Sequence, residues 1–140
     1  MITGNDILKL IPQRDPIVMI DTFFGIEDNT STTGLTVQPD NLFVENGKLQ
    51  ESGIIEHIAQ SAAARIGYIY MQKGESVPLG FIGSVDKFEL NDLPSIGETL
   101  RTTITVLQEV FGITLVQATV CIENRTIATC NMKIFIENKA

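Results

Sequence analysis

The stretch from Glu51 to Gln72, ESGIIEHIAQSAAARIGYIYMQ, sets the terms for the rest of the chain. Alanine and isoleucine dominate it and proline is absent, so it reads as one long helix, with Ser52 placed to cap the orphan amides at its start. Apolar residues occupy positions 54, 55, 58, 59, 62, 63, 64, 66 and 69, which leaves no wide face for solvent. A helix apolar on nearly every side has to be enclosed, so the remaining residues must build something that wraps it. Against that background Glu56, His57, Gln60 and Ser61 stand out. Their spacing of i, i+1, i+4 and i+5 places them on one polar stripe, and His57 is the only histidine of the chain.

A carboxylate in apolar surroundings loses solvation, which favours its neutral form and makes a proton donor usable near neutral pH. On that reading Glu56 is a candidate general acid. The other reading is structural, with Glu56 paired to His57, Gln60 or Arg65. The stripe by itself leaves both open.

Composition removes several function classes. The 140 residues suit one domain with a sizeable core, 44% of them hydrophobic and 19% charged, as in a soluble globular protein. No run approaches the length of a membrane span. The first residues lack the basic segment and apolar stretch of a secretory signal, so a cytoplasmic location is expected. Ten basic against seventeen acidic residues give a net charge of −7, the wrong sign for a protein that binds nucleic acid by neutralising phosphates. The same balance disfavours a highly acidic partner unless some of Lys9, Lys48, Lys73, Lys87 and Arg101 gather into a patch. Cys121 and Cys130 have neither the number nor the spacing of a metal site, and no metal is expected. They flank a turn at Asn124-Arg125 and are expected as buried free thiols.

Taken in order, residues 5–11 predict a short amphipathic helical segment stopped by Pro12. Residues 17–26, rich in branched and aromatic side chains, predict a strand. Turn residues Asp28 to Ser31 lead to a second strand over 32–37. Residues 38–51 are polar and irregular and read as a loop into the helix. Gly74 is placed for a left-handed cap at the helix end. Four strands are then expected, over 78–90, 98–110, 113–123 and 126–138, with glycines in the first suggesting a bend or a close approach. Two strands, a buried helix and four strands make an α+β domain, an antiparallel sheet of about six strands curled around one long helix.

Three stretches, in order and spacing, carry a resemblance. Asp6 to Asp21 is similar to an opening helix, a Pro-x-Arg-x-Pro step and a strand ending in Asp. Glu56-His57-Ile58-Ala59-Gln60 is similar to a Glu-Ala-Met-Ala-Gln helix motif. Gly80-Phe81-Ile82-Gly83-Ser84-Val85-Asp86-Lys87-Phe88 with Gly97-Glu98-Thr99-Leu100 is similar to a strand and a Pro-Gly-Asp turn. Together they resemble the hotdog-fold 3-hydroxyacyl-acyl carrier protein dehydratases. The short loop before the helix is closer to relatives from the aryl polyene and flexirubin pigment pathways.

The resemblance implies one hotdog domain over residues 1–140 and a homodimer, or a heterodimer or higher oligomer, with a substrate tunnel where the central helices meet. It implies an acyl thioester on acyl carrier protein or coenzyme A as substrate and no cofactor. Glu56 falls on the acid that protonates the departing β-hydroxyl, Gln60 would orient it, and Gly53, Phe81 and Gly83 would line the substrate site. Amides near Gly53, at the positive end of the helix, would hold the thioester carbonyl. The family's loop histidine, the base, is missing from residues 41–52. His57 lies ~100° further round the helix than Glu56. It could serve as the base from a rotated helix or a dimer mate, or hydrogen-bond as structure only, or the chain could have become an inactive acyl-binding partner subunit. Thioester hydrolysis with Glu56 activating water is a further option.

Overall fold

Helix α1 spans Glu51–Gln72 in a computed structural model that describes residues 1–137. Its start differs from the expectation for Ser52. Gln50 is the N-cap, in extended conformation and with no side-chain cap, and its carbonyl accepts from the amides of Gly53 and Ile54 at 3.0 and 3.1 Å. Ser52 is already inside the helix and exposed. At the other end Gly74 takes φ +70°, which lets the Glu75 amide turn back to the Tyr70 carbonyl at 3.0 Å.

The sheet that wraps the helix is wholly antiparallel. Its strands are β1 (Ile2–Thr3), β2 (Thr22–Glu27), β3 (Thr30–Thr36), β6 (Gly80–Leu90), β7 (Thr99–Val110), β8 (Ile113–Ile122) and β9 (Arg125–Ile136), in the order β1-β2-β3-β7-β8-β9-β6. This is the hotdog arrangement, with seven strands among the described residues where about six were expected. The extra one is the two-residue β1 on the outer edge of β2. A short 3-10 helix over Gly4–Lys9 takes the place of the expected opening helix. The last residue of the expected final strand, Asn138, lies outside the described residues.

Turn chemistry fixes the register. Asn46 and Gly47, both at positive φ, close a small hairpin between β4 (Val44–Glu45) and β5 (Lys48–Leu49) inside what reads in sequence as an irregular loop. The Asn-Gly pair was its signal. Phe111 and Gly112, again both at positive φ, close the β7–β8 hairpin. The last hairpin turns at Glu123-Asn124, one residue earlier than expected, with Glu123 at positive φ.

Buried side chains fall into two sets on opposite sides of α1. The larger holds Ile54, Ile58 and Ala62 of the helix against Leu100, Ile104, Val116, Val120 and Met132 of the sheet. The smaller packs Ile7, Leu10 and Ile11 with Ile20, Phe23 and Ala64. Gly67 permits the second contact, since a Cβ there would lie 2.0 Å from the Leu10 carbonyl oxygen. No helix among the described residues is long and apolar enough to cross a membrane. Cys130 is buried and free, its thiol pushed up to about 11 by burial. Cys121 is also free but only half-buried, at an outer position facing Thr126.

Residues 17–21 depart most from expectation. Branched residues there predict a strand, yet β2 begins only at Thr22. Strand-like pairing reaches back only to Asp21, whose amide donates to the Gly34 carbonyl of β3 at 2.9 Å; the backbone of Ile17 and Met19 is bonded instead by side chains of α1, and those side chains belong to the polar stripe.

Candidate active site

The stripe does not act as one group. His57 is fully buried on the side of α1 facing the sheet. Its Nδ1 lies 2.7 Å from the Met19 carbonyl and its Nε2 lies 2.7 Å from Thr102 Oγ1. A carbonyl can only accept, so Nδ1 carries the proton and Nε2 accepts from the threonine hydroxyl. Burial lowers the pKa from the usual 6.5 to about 4, against the opposing pull of the Met19 carbonyl and the charge of Asp21. The imidazole is therefore neutral at pH 7, with both nitrogens engaged.

Ser61 continues the same buried network. Its hydroxyl donates to the His57 carbonyl at 2.7 Å, so the Thr33 hydroxyl, 2.6 Å away, is the donor to Ser61. Thr102 escaped the sequence analysis as a functional partner. Its signal was a polar residue on the inward face of β7, between Leu100 and Ile104.

Gln60, also fully buried, joins this network to Glu56. Its Oε1 accepts from the Met19 amide. Its Nε2 donates to the Ile17 carbonyl at 2.7 Å and to Glu56 Oε1 at 3.0 Å. Because Met19 N–H can only donate, the amide cannot be flipped, and the NH₂ must face the carboxylate. Met19 is thus held at its carbonyl by His57 and at its amide by Gln60. These two bonds replace strand pairing over residues 17–19. Of the three structural partners open to Glu56 in the sequence, Gln60 is the one observed.

Glu56 is half-buried and lines a cavity of about 230 Å³. The helix contributes Ala59, Ala63 and Ile66 to its wall, and β6 contributes Gly80, Phe81 and Ile82. Gln13, from the segment before β2, is a wall residue that the sequence analysis missed. Strand β6 is the outermost strand of the sheet on this side, and Phe81 and Ile82 on it are 56% and 46% exposed.

Glu56, Gln60 and Phe81 are therefore brought together, and three other residues are placed elsewhere. Gly53 is roofed by Phe43 and Leu49, to which a Cβ would come within 2.5 and 2.8 Å, and its amide is bonded to the Gln50 carbonyl. Its glycine serves packing, which corrects the expectation of a carbonyl-binding amide there. Gly83 is absent from the cavity wall and makes room for the Phe135 ring, which a Cβ would strike at 1.9 Å. The close approach suggested by the glycine is real, but it is made by this chain's own β9. His57 points away from the cavity, into the sheet.

Comparison with known proteins bears on the chemistry. Residues 5–140 match the ApeP-like family model, described as ApeP dehydratase. A 3-hydroxyacyl-[acyl-carrier-protein] dehydratase FabZ of Halalkalibacterium halodurans is 27% identical over 114 residues, 77% of this chain and 79% of that protein. The FabZ of Clostridium botulinum strain Loch Maree is 29% identical over 124 residues, 83% of this chain and 84% of its own. Among solved structures, the dehydratase heterocomplex ApeI:P from Xenorhabdus doucetiae superposes with a TM-score of 0.89 at 17% identity, over 99% of this chain and 93% of that one. A hypothetical thioesterase protein with coenzyme A from Streptococcus pneumoniae gives 0.66 at 8%, over 84% and 85%. At such identities these two structures speak for the hotdog fold alone. The family match, which leaves out only the first four residues, shows that the chain belongs to the ApeP-like dehydratase family.

Proposed function

We propose that Glu56 is the group through which this chain dehydrates a 3-hydroxyacyl thioester, carried on acyl carrier protein, to the trans-2-enoyl thioester. The family and the FabZ relatives support the reaction. One observation carries the assignment to Glu56: a carboxylate held by a fully buried amide stands in a wall that is otherwise almost entirely apolar. Such a wall suits an acyl chain, and the carboxylate meets the requirement for proton transfer at its reacting end.

The reaction removes a proton from C2 and hydroxide from C3. The thioester carbonyl makes the C2 proton removable, and the hydroxyl leaves only once protonated. A carboxylate on one face of the chain can do both in turn. Glu56 takes the C2 proton and the C–H electron pair passes to the thioester as an enolate. The resulting acid delivers that proton to the hydroxyl, and as the C3–O bond breaks the enolate pair closes the C2–C3 double bond, so that water departs with the carboxylate restored. No electrons are exchanged with a cofactor. In this reading Gln60 aims the carboxylate, while His57 fixes Met19 and is a positioning residue.

A second reading concerns the base. The free edge of β6 borders the cavity, and Phe81 and Ile82 are exposed beside it. A related chain adding to that edge would extend the sheet and lie over the cavity, and a separate base would then come from that chain, since a second copy of this one carries its single histidine buried. The two readings differ in their pH–rate profiles. One carboxylate in both roles gives a single ionisation in kcat/KM, and an added histidine gives a bell with a second limb near neutrality.

The test is incubation with 3-hydroxyacyl-acyl carrier protein and, separately, with saturated acyl-acyl carrier protein. Enoyl product from the first alone is expected. Free thiol from the second would mean thioester hydrolysis, and no change in either would make the chain an acyl-binding partner subunit.

A further inference from the structure

The polar groups behind Glu56 are joined in a single direction that begins on the sheet. The Thr102 hydroxyl donates to His57 Nε2 and His57 Nδ1–H donates to the Met19 carbonyl, each at 2.7 Å. The Met19 amide donates to Gln60 Oε1, and Gln60 Nε2 donates to Glu56 Oε1 at 3.0 Å. Every link has a forced polarity. A carbonyl only accepts and a backbone amide only donates, and a neutral imidazole whose one N–H is committed to Met19 obliges Thr102 to be the donor at the other nitrogen. Thr102 is fully buried, on a sheet face it shares with Leu35, Leu100, Ile104 and Val116. Valine would fill that position without burying a hydroxyl, so filling the core does not account for threonine there.

We propose that Thr102 is a positioning residue for the dehydration: its hydroxyl holds the His57 ring, His57 and Gln60 clamp Met19 between them, and Gln60 presents Glu56 with Oε1 held and Oε2 left to meet the substrate. This role rests on the reading of Glu56 as the proton carrier. Met19 passes the constraint along as a clamped stretch of backbone, bonded at its carbonyl from one side and at its amide from the other. Without the hydroxyl, Nε2 is a buried acceptor with no donor, and the ring is held at one nitrogen only. The ring then tilts, the Met19 bond bends with it, and the Gln60 amide loses its fixed end. A carboxylate that is no longer aimed reacts more slowly while substrate still binds, so the loss falls on kcat.

His57 is the only histidine of the chain, so nitrogen NMR of the full chain labelled at histidine reads its ring alone. The wild-type protein is expected to carry the proton on Nδ1 at pH 7.5. A proton on Nε2 would break the direction of the chain and overturn the proposal. Steady-state rates on 3-hydroxyacyl-acyl carrier protein read the consequence. Thr102→Val is expected to lower kcat by ~5- to 20-fold with KM within about twofold, and Thr102→Ser, which keeps the hydroxyl, to restore most of kcat. Thr33 supplies the matched control. It is the direct partner of Thr102 across the β3–β7 ladder, equally buried, and its hydroxyl bonds Ser61 outside the chain that leads to Glu56. Thr33→Val is expected to lower the unfolding midpoint but to change kcat by less than about twofold. The pair Thr102→Val with Gln60→Leu is expected to lose no more kcat than Gln60→Leu alone, because both act through one amide. Full kcat in Thr102→Val, no recovery with serine, an equal fall of kcat in Thr33→Val, or a loss in the pair equal to the product of the single losses would each reduce Thr102 to a core residue and overturn the proposal. If Glu56→Gln left turnover intact while Thr102→Val and Gln60→Leu stayed coupled, the relay to Gln60 would stand and only the assignment of the acid would fall.

Discussion

Gln60 donates to Glu56 at 3.0 Å from an amide whose orientation Met19 fixes from its other end. The carboxylate is therefore aimed by a side chain that is itself immobilised in the core, and the same amide anchors residues 17–19. Gln60→Leu should act twice. It leaves the Met19 amide and the Ile17 carbonyl unpaired, at a cost of ~2–4 kcal/mol, and it frees Glu56 to rotate, with a further ~10- to 100-fold loss of kcat/KM. Denaturant unfolding and steady-state rates read the two effects separately. A stable variant of full activity would remove Gln60 from the account.

His57 makes stability depend on pH. Its folded pKa of about 4 lies below the usual 6.5, so between these values the unfolded chain binds a proton that the folded chain does not. Stability is then lost as pH falls from about 6.5 towards 4 and is flat above, by ~3 kcal/mol in all. His57→Gln, which does not titrate, should be less stable than wild type at pH 7.5 because the Met19 and Thr102 bonds are broken or bent. The gap should narrow by about that amount at pH 4.5. Urea unfolding at the two pH values checks this, and parallel losses in both proteins would contradict it.

Gly67 tests the docking of the N-terminal segment. Gly→Ala inside a helix ordinarily gains ~0.5–1 kcal/mol. Here the added Cβ would lie 2.0 Å from the Leu10 carbonyl oxygen and 2.8 Å from its carbon, and backbone cannot swing away as a side chain can. Gly67→Ala should destabilise by ~2–3 kcal/mol. Gly74→Ala, where open space but φ +70° awaits the methyl, should cost ~1 kcal/mol. Thermal melts of the two variants give the comparison, and a neutral Gly67→Ala would mean that Leu10 does not pack there.

The helix was legible, its cap at Ser52 apart, because a run of alanine and isoleucine without proline admits few alternatives, and the six long strands announced themselves by alternation and turn residues. What the sequence could not divide was the stripe. Spacing places Glu56, His57, Gln60 and Ser61 side by side, yet the turn from residue 56 to residue 57 was enough to send one to the cavity and the other to Thr102. Whether residues 17–20 pair as a strand depended on contacts from α1 more than thirty residues away in sequence, which local propensity does not see. Gln13 went unnoticed for a related reason. A cavity wall becomes visible only when the elements that build it are in place.

The central claim is that Glu56 moves the proton, and Glu56→Gln addresses it with the least disturbance, since it keeps the shape and removes the titrating group. Measured as enoyl thioester formed from 3-hydroxyacyl-acyl carrier protein, kcat/KM should fall by ~10²- to 10⁴-fold while the thermal midpoint stays close to that of wild type. A variant that turns over within threefold of the wild-type rate would contradict the account.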